Sequence, residues 1–120
     1  MKNKIVILSG DPNSINSELI YKSWKKLNDN TKKKIYFISN YQLLKKQFQK
    51  LHYKIKIVEA SNLYERENDL NLKVININLK FKKPFRVSKK SASQFVLNSL
   101  NLAHKYALKE NVKGIITVSY

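Results

Sequence analysis

The stretch that decides the fold is Lys4-Ile5-Val6-Ile7-Leu8-Ser9-Gly10-Asp11-Pro12-Asn13-Ser14. Its first part, residues 4–9, is a continuous apolar run, which is typical of a strand buried on both faces in a parallel sheet. The part that follows concentrates glycine, proline and short polar side chains, which favour a turn. Ser14 or Asn13 can cap a following helix, because its side-chain oxygen accepts hydrogen bonds from the free amides of the first helical turn. The stretch therefore predicts a buried strand, a polar turn and a helix in succession.

The rest of the sequence repeats this alternation of apolar runs and amphipathic segments. Further strands are predicted at residues 34–39, 54–58, 72–79 and 115–118. Helices are predicted from the turn to about residue 27, over residues 41–51, and from Lys90 or Ser91 to about residue 110. Residues 28–30 are expected to end the first helix, and residues 80–88 to form a surface excursion. The order predicts an α/β fold, a three-layer α/β/α sandwich around a mostly parallel sheet in which residues 5–8, 35–38, 72–77 and 115–118 are buried strands.

Length and composition predict one soluble globular domain over residues 1–120. The chain has 120 residues, of which 42% are hydrophobic, and this is enough for one core. It has no cysteine, which excludes disulfides, thiol nucleophiles, zinc–thiolate sites and iron–sulfur clusters. No apolar run approaches the ~18 residues of a membrane span, and residues 5–8 are too short for the core of a signal peptide. We therefore expect a cytoplasmic protein without membrane contact.

The formal net charge of +16 admits two interpretations. A basic module that binds RNA or another polyanion would use such a charge. Tyr36, Tyr41 and Tyr53 lie among the lysines, and the bases of a nucleic acid would stack on such aromatic rings. However, 22 of the 24 basic residues are lysine, whereas base reading and bidentate phosphate binding favour arginine. Lysine, asparagine, isoleucine and tyrosine share A/T-rich codons, so a low-GC genome accounts for the composition. We expect no nucleic-acid partner, and dispersed lysines would support that expectation.

The sequence provides no recognisable catalytic or metal-binding motif. His52 and His104, the only histidines, have no metal-ligand spacing to other ligands, and the acidic residues near Glu67 indicate a solvated loop. Gly10 and Gly114 are the only glycines, which excludes the glycine-rich nucleotide-binding loops. We therefore assign no catalytic residue and no metal ligand.

The turn after the first strand remains as a candidate ligand-binding element. Ligands of open α/β sheets bind beyond the carboxyl ends of the strands, and the amides of a helix N-terminus attract anions. Gly10, Asp11 and Asn13 are thus predicted to line a substrate or cofactor cleft, with Asp11 facing it or accepting hydrogen bonds from loop amides. The alternative is a plain strand-to-helix turn with no ligand.

The same turn resembles the opening of the 4-hydroxythreonine-4-phosphate dehydrogenase family. The match consists of Ile7-Leu8-Ser9-Gly10-Asp11-Pro12 with Ile15 and Glu18, against a family pattern like I-T-x-G-D-P-x-G-I-G-P-E. Residues 91–96 with Ala103, and Gly114-Ile115-Ile116-Thr117, resemble a later helix and strand of the family. The two glycines and the proline of G-I-G-P-E are Ser14, Asn16 and Ser17 here. After Thr117 the family continues as A-P-x-x-K, where this chain has Val118-Ser119-Tyr120.

The resemblance implies an isocitrate/isopropylmalate dehydrogenase-like fold and the N-terminal part of a longer, two-domain, homodimeric enzyme. It implies NAD(P)-dependent oxidation, with decarboxylation, of a phosphorylated small molecule, 4-hydroxythreonine-4-phosphate, in vitamin B6 biosynthesis. A divalent metal ion would be held by histidines in later parts of the family pattern, and His52 and His104 match no such motif. By this interpretation residues 1–120 alone contribute only the turn to the cleft, bind no cofactor tightly and are inactive.

Overall fold

The computed structural model describes residues 4–14, 16–109 and 112–117, which form one five-stranded parallel sheet with helices on both faces. The strands are β1 (Lys4–Leu8), β2 (Ile35–Ser39), β3 (Ile57–Glu59), β4 (Leu72–Asn76) and β5 (Val112–Thr117). The helices are α1 (Asn16–Lys26), α2 (Asp29–Lys32), α3 (Tyr41–Lys50) and α4 (Lys89–Lys109). The strand order is β3-β4-β2-β1-β5, and every neighbouring pair is parallel. The predicted α/β fold and the single sheet are confirmed.

Side chains that alternate along the central strands build the two apolar layers. Ile35 and Phe37 of β2 pack in a cluster with Trp24 of α1 and Phe48 of α3. Tyr36 and Ile38, the intervening residues, pack on the other face in a cluster that includes Tyr106 of α4. Strands covered by helices on both faces have to be apolar throughout, which explains the uninterrupted apolar runs in the sequence.

Several predicted boundaries are wrong, for local reasons. Residues 28–30 do not simply end a helix, because the Asn28 side chain accepts a hydrogen bond of 2.8 Å from the Thr31 amide and caps α2. The third strand begins only at Ile57, and β4 ends at Asn76. The last strand begins earlier than predicted, at Val112, whereas the predicted helix end at residue 110 and strand end at residue 118 lie outside the described residues.

The prediction that residues 115–118 form a buried strand is wrong for the part that the structure describes. β5 is an edge strand with β1 as its neighbour. Only its first residue, Val112, is buried, in the cluster that includes Ala103 and Tyr106 of α4. Ile115 is 39% exposed and Ile116 is 52% exposed. The apolar sequence of β5 is nevertheless typical of an interior strand. Edge strands of soluble proteins usually carry charged residues, proline or bulges.

Lys73 of β4 is a buried cation near the amino edge of the sheet. Its side chain has no exposed surface, its Nζ donates a 2.7 Å hydrogen bond to the Lys33 carbonyl, and it lies 4.3 Å from the centre of the Tyr36 ring. Burial, with the nearby charge of Lys4 as the second cause, lowers the pKa of Lys73 to about 8. Burial also raises the pKa of Tyr36 to about 12.

Lys73 is expected to make the free energy of unfolding rise with pH between pH 8 and pH 10. In this window the unfolded chain, with a lysine pKa of 10.5, binds more protons than the folded chain, and a rise in pH then favours the folded state. Tyr36 acts in the opposite direction, but only above its ordinary pKa of 10.0. Urea unfolding at pH 7.5 and pH 9.5 should therefore show a steeper rise for the wild type than for Lys73→Met. The exposed Lys50→Met variant is the control, and equal slopes for all three proteins would contradict the burial of the ammonium group.

A candidate ligand groove at the carboxyl edge of the sheet

An open groove of about 890 Å³ lies where β1 and β5 end. One wall is the turn after β1, the other is the first half of α4, and Thr117 of β5 lies between them. The turn contributes Gly10, Asp11, Asn13, Ser14 and Asn16 at its end, and the α4 side contributes Val87, Lys89, Ala92, Ser93, Val96, Leu97 and Leu100. The groove thus has a polar end near the turn and an apolar end formed by the α4 leucines.

The turn is held in shape by hydrogen bonds within itself. Gly10 has a φ of 75°, a conformation that side chains rarely adopt, so the chain reverses there after β1. The Oδ1 atom of Asp11 accepts a 2.9 Å hydrogen bond from the amide of Asn13. Both the amide and the hydroxyl of Ser14 donate to the Asp11 carbonyl, at 3.2 and 2.9 Å. The Asp11 side chain is exposed, and among the described residues its Oδ2 atom accepts no hydrogen bond.

Asn13 joins the turn to the segment that leads into α4. Its Nδ2 donates to the Val87 carbonyl and its Oδ1 accepts from the Val87 amide, both at 2.7 Å. The side-chain amide therefore pairs with Val87 as a neighbouring strand would. Because both of its polar groups are occupied, Asn13 lines the groove mainly as a positioning residue.

Gln47 of α3 makes a second connection between the same two segments. This side chain is buried, and its Nε2 donates to the carbonyl of Pro12 at 2.8 Å and to the carbonyl of Pro84 at 2.6 Å. Gln47 was not predicted as a functional residue, because its one signal in the sequence is a polar residue on the inner face of α3 with Leu43, Leu44 and Phe48. Residues 80–88 are consequently part of the groove structure as well as a surface excursion.

Ser14 and Asn16 stand at the positions where the family that the chain resembles has glycine. Neither Ser14 nor Asn16 has a positive φ, so glycine is not required at either position. The Nδ2 of Asn16 donates a 2.8 Å hydrogen bond to the carbonyl of Ser9, and Ser17 is buried behind it. The loop in this chain is thus built from side-chain hydrogen bonds, and its polar side chains occupy space in the groove.

The structure places all three predicted cleft residues, Gly10, Asp11 and Asn13, along this groove. Their contact with a ligand stays a prediction. His52 and His104 are both exposed and do not line the groove. Within residues 4–14, 16–109 and 112–117 no three or more histidine, cysteine, aspartate or glutamate side chains are grouped as a metal site requires. In the same part of the chain no helix is long and apolar enough to cross a membrane.

Exposed lysines are present on helices of both layers of the sandwich. They are Lys22, Lys25 and Lys26 of α1, Lys45, Lys46 and Lys50 of α3, and Lys89, Lys90, Lys105 and Lys109 of α4. A groove that follows a nucleic-acid backbone needs its cations on one face. The described lysines have the dispersed arrangement that we expect from codon bias.

Comparison with solved structures identifies the fold. The chain superposes on the 4-hydroxythreonine-4-phosphate dehydrogenase from Burkholderia phymatum with a TM-score of 0.83 and 18% identity, covering 98% of this chain and 36% of that one. For the enzyme of the same name from Klebsiella pneumoniae the TM-score is 0.78 and the identity 19%, covering 97% of this chain and 37% of the other. No protein-family model and no curated protein sequence matches the chain.

The predicted resemblance to the N-terminal portion of these dehydrogenases is confirmed at the level of the fold, which is the isocitrate dehydrogenase-like fold. The chain spans little more than a third of their length.

The double hydrogen bond of Asn13 gives a test of the groove geometry. Asn13→Ala removes two hydrogen bonds between the turn and Val87 and should lower the free energy of unfolding by about 1–2 kcal/mol. The exchange of the Val87 amide with solvent deuterium should accelerate at the same time, because that amide loses its acceptor. The exposed Asn78→Ala is the matched control and should change neither quantity. Unchanged exchange at Val87 in the Asn13 variant would show that the two segments are not joined in this way.

Proposed function

We propose that this chain provides one wall of the substrate cleft of a 4-hydroxythreonine-4-phosphate dehydrogenase-like oxidoreductase that acts in vitamin B6 biosynthesis. The observation that carries the proposal is the polar turn at residues 9–14, which opens on the groove at the carboxyl edge of a sheet with this family's fold. The substrate is a phosphorylated hydroxy amino acid, and NAD(P) accepts its hydride in the complete enzyme.

The charges on the groove suit such a substrate. Asp11 presents a carboxylate oxygen to a hydroxyl or ammonium group, because only its Oδ1 is bonded within the turn. Lys89 and the hydroxyl of Ser93, at the start of α4, lie on the opposite wall and suit an anionic group. The pair can orient a molecule that carries both kinds of group. Asn13 and Gln47 keep the two walls at a fixed separation.

The described residues do not fit a divalent metal ion. Asp11 is the one carboxylate among the described side chains that line the groove, and neither histidine lines it. A catalytic metal needs about three protein ligands, so no step of the reaction is assigned to a metal on these residues. The glycine-rich loop that binds the pyrophosphate of a dinucleotide is also missing from the sequence. The role of this chain is to bind and orient the substrate, and the metal and the nucleotide would be held by the rest of the enzyme, which we expect to be a homodimer.

A polyanion-binding module is the less favoured function. Its support is the net charge of +16, and the presence of exposed lysines on both helical layers argues against it. If the chain did bind a nucleic acid, the affinity of the complex would fall steeply as the salt concentration rises.

The activity can be tested directly on two preparations. The complete enzyme should reduce NAD or NADP when 4-hydroxythreonine-4-phosphate is added, measured by absorbance of the reduced nicotinamide. Residues 1–120 alone should give no reduction and retain no stoichiometric metal after dialysis, measured by elemental analysis. A complete enzyme that is inactive with this substrate, or tightly held zinc in residues 1–120, would contradict the proposal.

Substitution of Asp11 distinguishes a turn that binds substrate from a turn that is purely structural. In the complete enzyme, Asp11→Ala should lower kcat/KM by more than about tenfold, a loss of about 1.4 kcal/mol of transition-state stabilisation. A role in the turn alone would cost about 1 kcal/mol of stability and leave the kinetics intact. Asp11→Asn is the matched variant, because it keeps the acceptor for the Asn13 amide and removes the charge. Wild-type kinetics in both variants, with a lower melting temperature for Asp11→Ala, would reduce the turn to a structural element.

A further inference from the structure

A second cavity, of about 310 Å³, lies between α3 and the segment that leads into β3, and we call it the α3–β3 pocket. β3 is at the opposite end of the sheet from β5, so the pocket and the groove are on different sides of the molecule. The described residues that line the two cavities are also different. The side chains that give the pocket its chemistry are Tyr41, Lys45, Phe48, Tyr53 and Lys56.

Tyr53 forms a fixed aromatic wall of this pocket. The ring of Tyr21 in α1 stacks on the Tyr53 ring, with the ring centres 3.9 Å apart and the planes 1° apart. Phe48 meets the Tyr53 ring edge-on, at 6.0 Å and 73°. The backbone is held as well, because His52 reverses the chain with a φ of 59° and the Tyr53 amide donates a 2.9 Å hydrogen bond to the Phe48 carbonyl. A ring held in this way can stack on a ligand with little loss of side-chain entropy.

Tyr53 has one ring face left for a ligand. Tyr21 covers the other face but does not line the pocket, whereas the half-buried Tyr53 does. A planar ring in the pocket would therefore continue the stack of the two tyrosines. Stacking on an aromatic side chain is a common means of binding a nucleobase, because every base has a π-face.

The charge of the pocket selects an anion. Lys45 and Lys56 are exposed, and no carboxylate is among the described residues that line the pocket. Neither lysine forms an ion pair with a described carboxylate, whereas Lys22 of α1 is paired with Glu18 at 2.7 Å. The Nζ atom of Lys45 lies 5.7 Å from the centre of the Tyr41 ring, which holds the ammonium group at the pocket. Two cations match a phosphate monoester, whose charge is about −1.5 to −2 at pH 7.

We propose that the α3–β3 pocket binds a nucleoside monophosphate, with the base stacked on Tyr53 and the phosphate between Lys45 and Lys56. The volume of about 310 Å³ is at the lower end of the range of about 300–1,000 Å³ for ligand pockets, which favours a mononucleotide over a dinucleotide. Lysines are common on the whole surface of this chain, so the proposal depends on the conjunction of two cations with a fixed aromatic ring in one cavity. It goes beyond the proposed function, because the site is separate from the substrate groove.

Titration of the 120-residue chain with AMP, followed by amide NMR, tests the proposal. AMP should move the signals of residues 41–57 and leave those of residues 9–14 in place. Adenosine lacks the phosphate and ribose 5-phosphate lacks the base, so the dissociation constant of each should be larger than that of AMP by about tenfold or more.

Substitutions assign the two halves of the ligand to their residues. Tyr53→Leu should weaken AMP by about tenfold, while Tyr53→Phe keeps the ring and should retain the affinity. Lys45→Gln and Lys56→Gln change exposed side chains and should each weaken AMP by about threefold or more without changing the melting temperature or the binding of adenosine. Lys50→Gln is the matched control, because Lys50 is exposed on the same helix and does not line the pocket. It should bind AMP as the wild type does.

Three results would overturn the proposal. The first is AMP that does not move the signals of residues 41–57. The second is adenosine or ribose 5-phosphate that binds as tightly as AMP, because one half of the ligand would then contribute nothing. The third is equal weakening of AMP by Lys45→Gln, Lys56→Gln and Lys50→Gln, with an oligoadenylate of ten nucleotides that binds Tyr53→Leu as tightly as the wild type. That result would assign the lysines to a general polyanion surface.

Discussion

The structure depends on the enclosure of β1 between two parallel neighbours and two helical layers. The backbone amides and carbonyls of a strand in this position form hydrogen bonds with β2 and β5. Val6 and Leu8 are buried against the α4 layer. The chain can then leave the sheet only at the carboxyl edge, and Gly10 makes the reversal possible with its φ of 75°. The polar residues that follow are thereby fixed beside the end of β5 and the start of α4. The fold thus determines the position of the groove, while the loop residues determine its chemistry.

Much of the fold could be predicted because enclosure has a strong signature in the sequence. The runs at β1 and β2 are apolar throughout, and a helical apolar pattern separates them. The exposure of Ile115 and Ile116 in β5 could not be predicted, because the local sequence of this strand is that of an interior strand. The burial of Lys73 could not be predicted either, since the Lys33 carbonyl and the Tyr36 ring that its ammonium group contacts are remote in sequence.

The candidate site could be located from the sequence, but its construction could not. Glycine, aspartate and proline after a buried strand indicate a turn at the ligand edge, and Gly10, Asp11 and Asn13 do line the groove. The sequence does not reveal that Asn13 pairs with Val87 or that Gln47 reaches both Pro12 and Pro84. These contacts span 35 to 74 residues of chain and arise only when the layers are assembled. They also explain how a loop with Ser14 and Asn16 in place of glycines keeps a defined shape.

The central claim is that the turn after β1 forms a wall of the substrate cleft. The most direct measurement is a crystal structure of the complete protein with 4-hydroxythreonine-4-phosphate bound. Our account predicts substrate density in the groove between the turn and α4, with a substrate hydroxyl or ammonium group within hydrogen-bond distance of Asp11. Substrate bound away from residues 9–14, with Asp11 still directed only towards its own loop, would contradict the account.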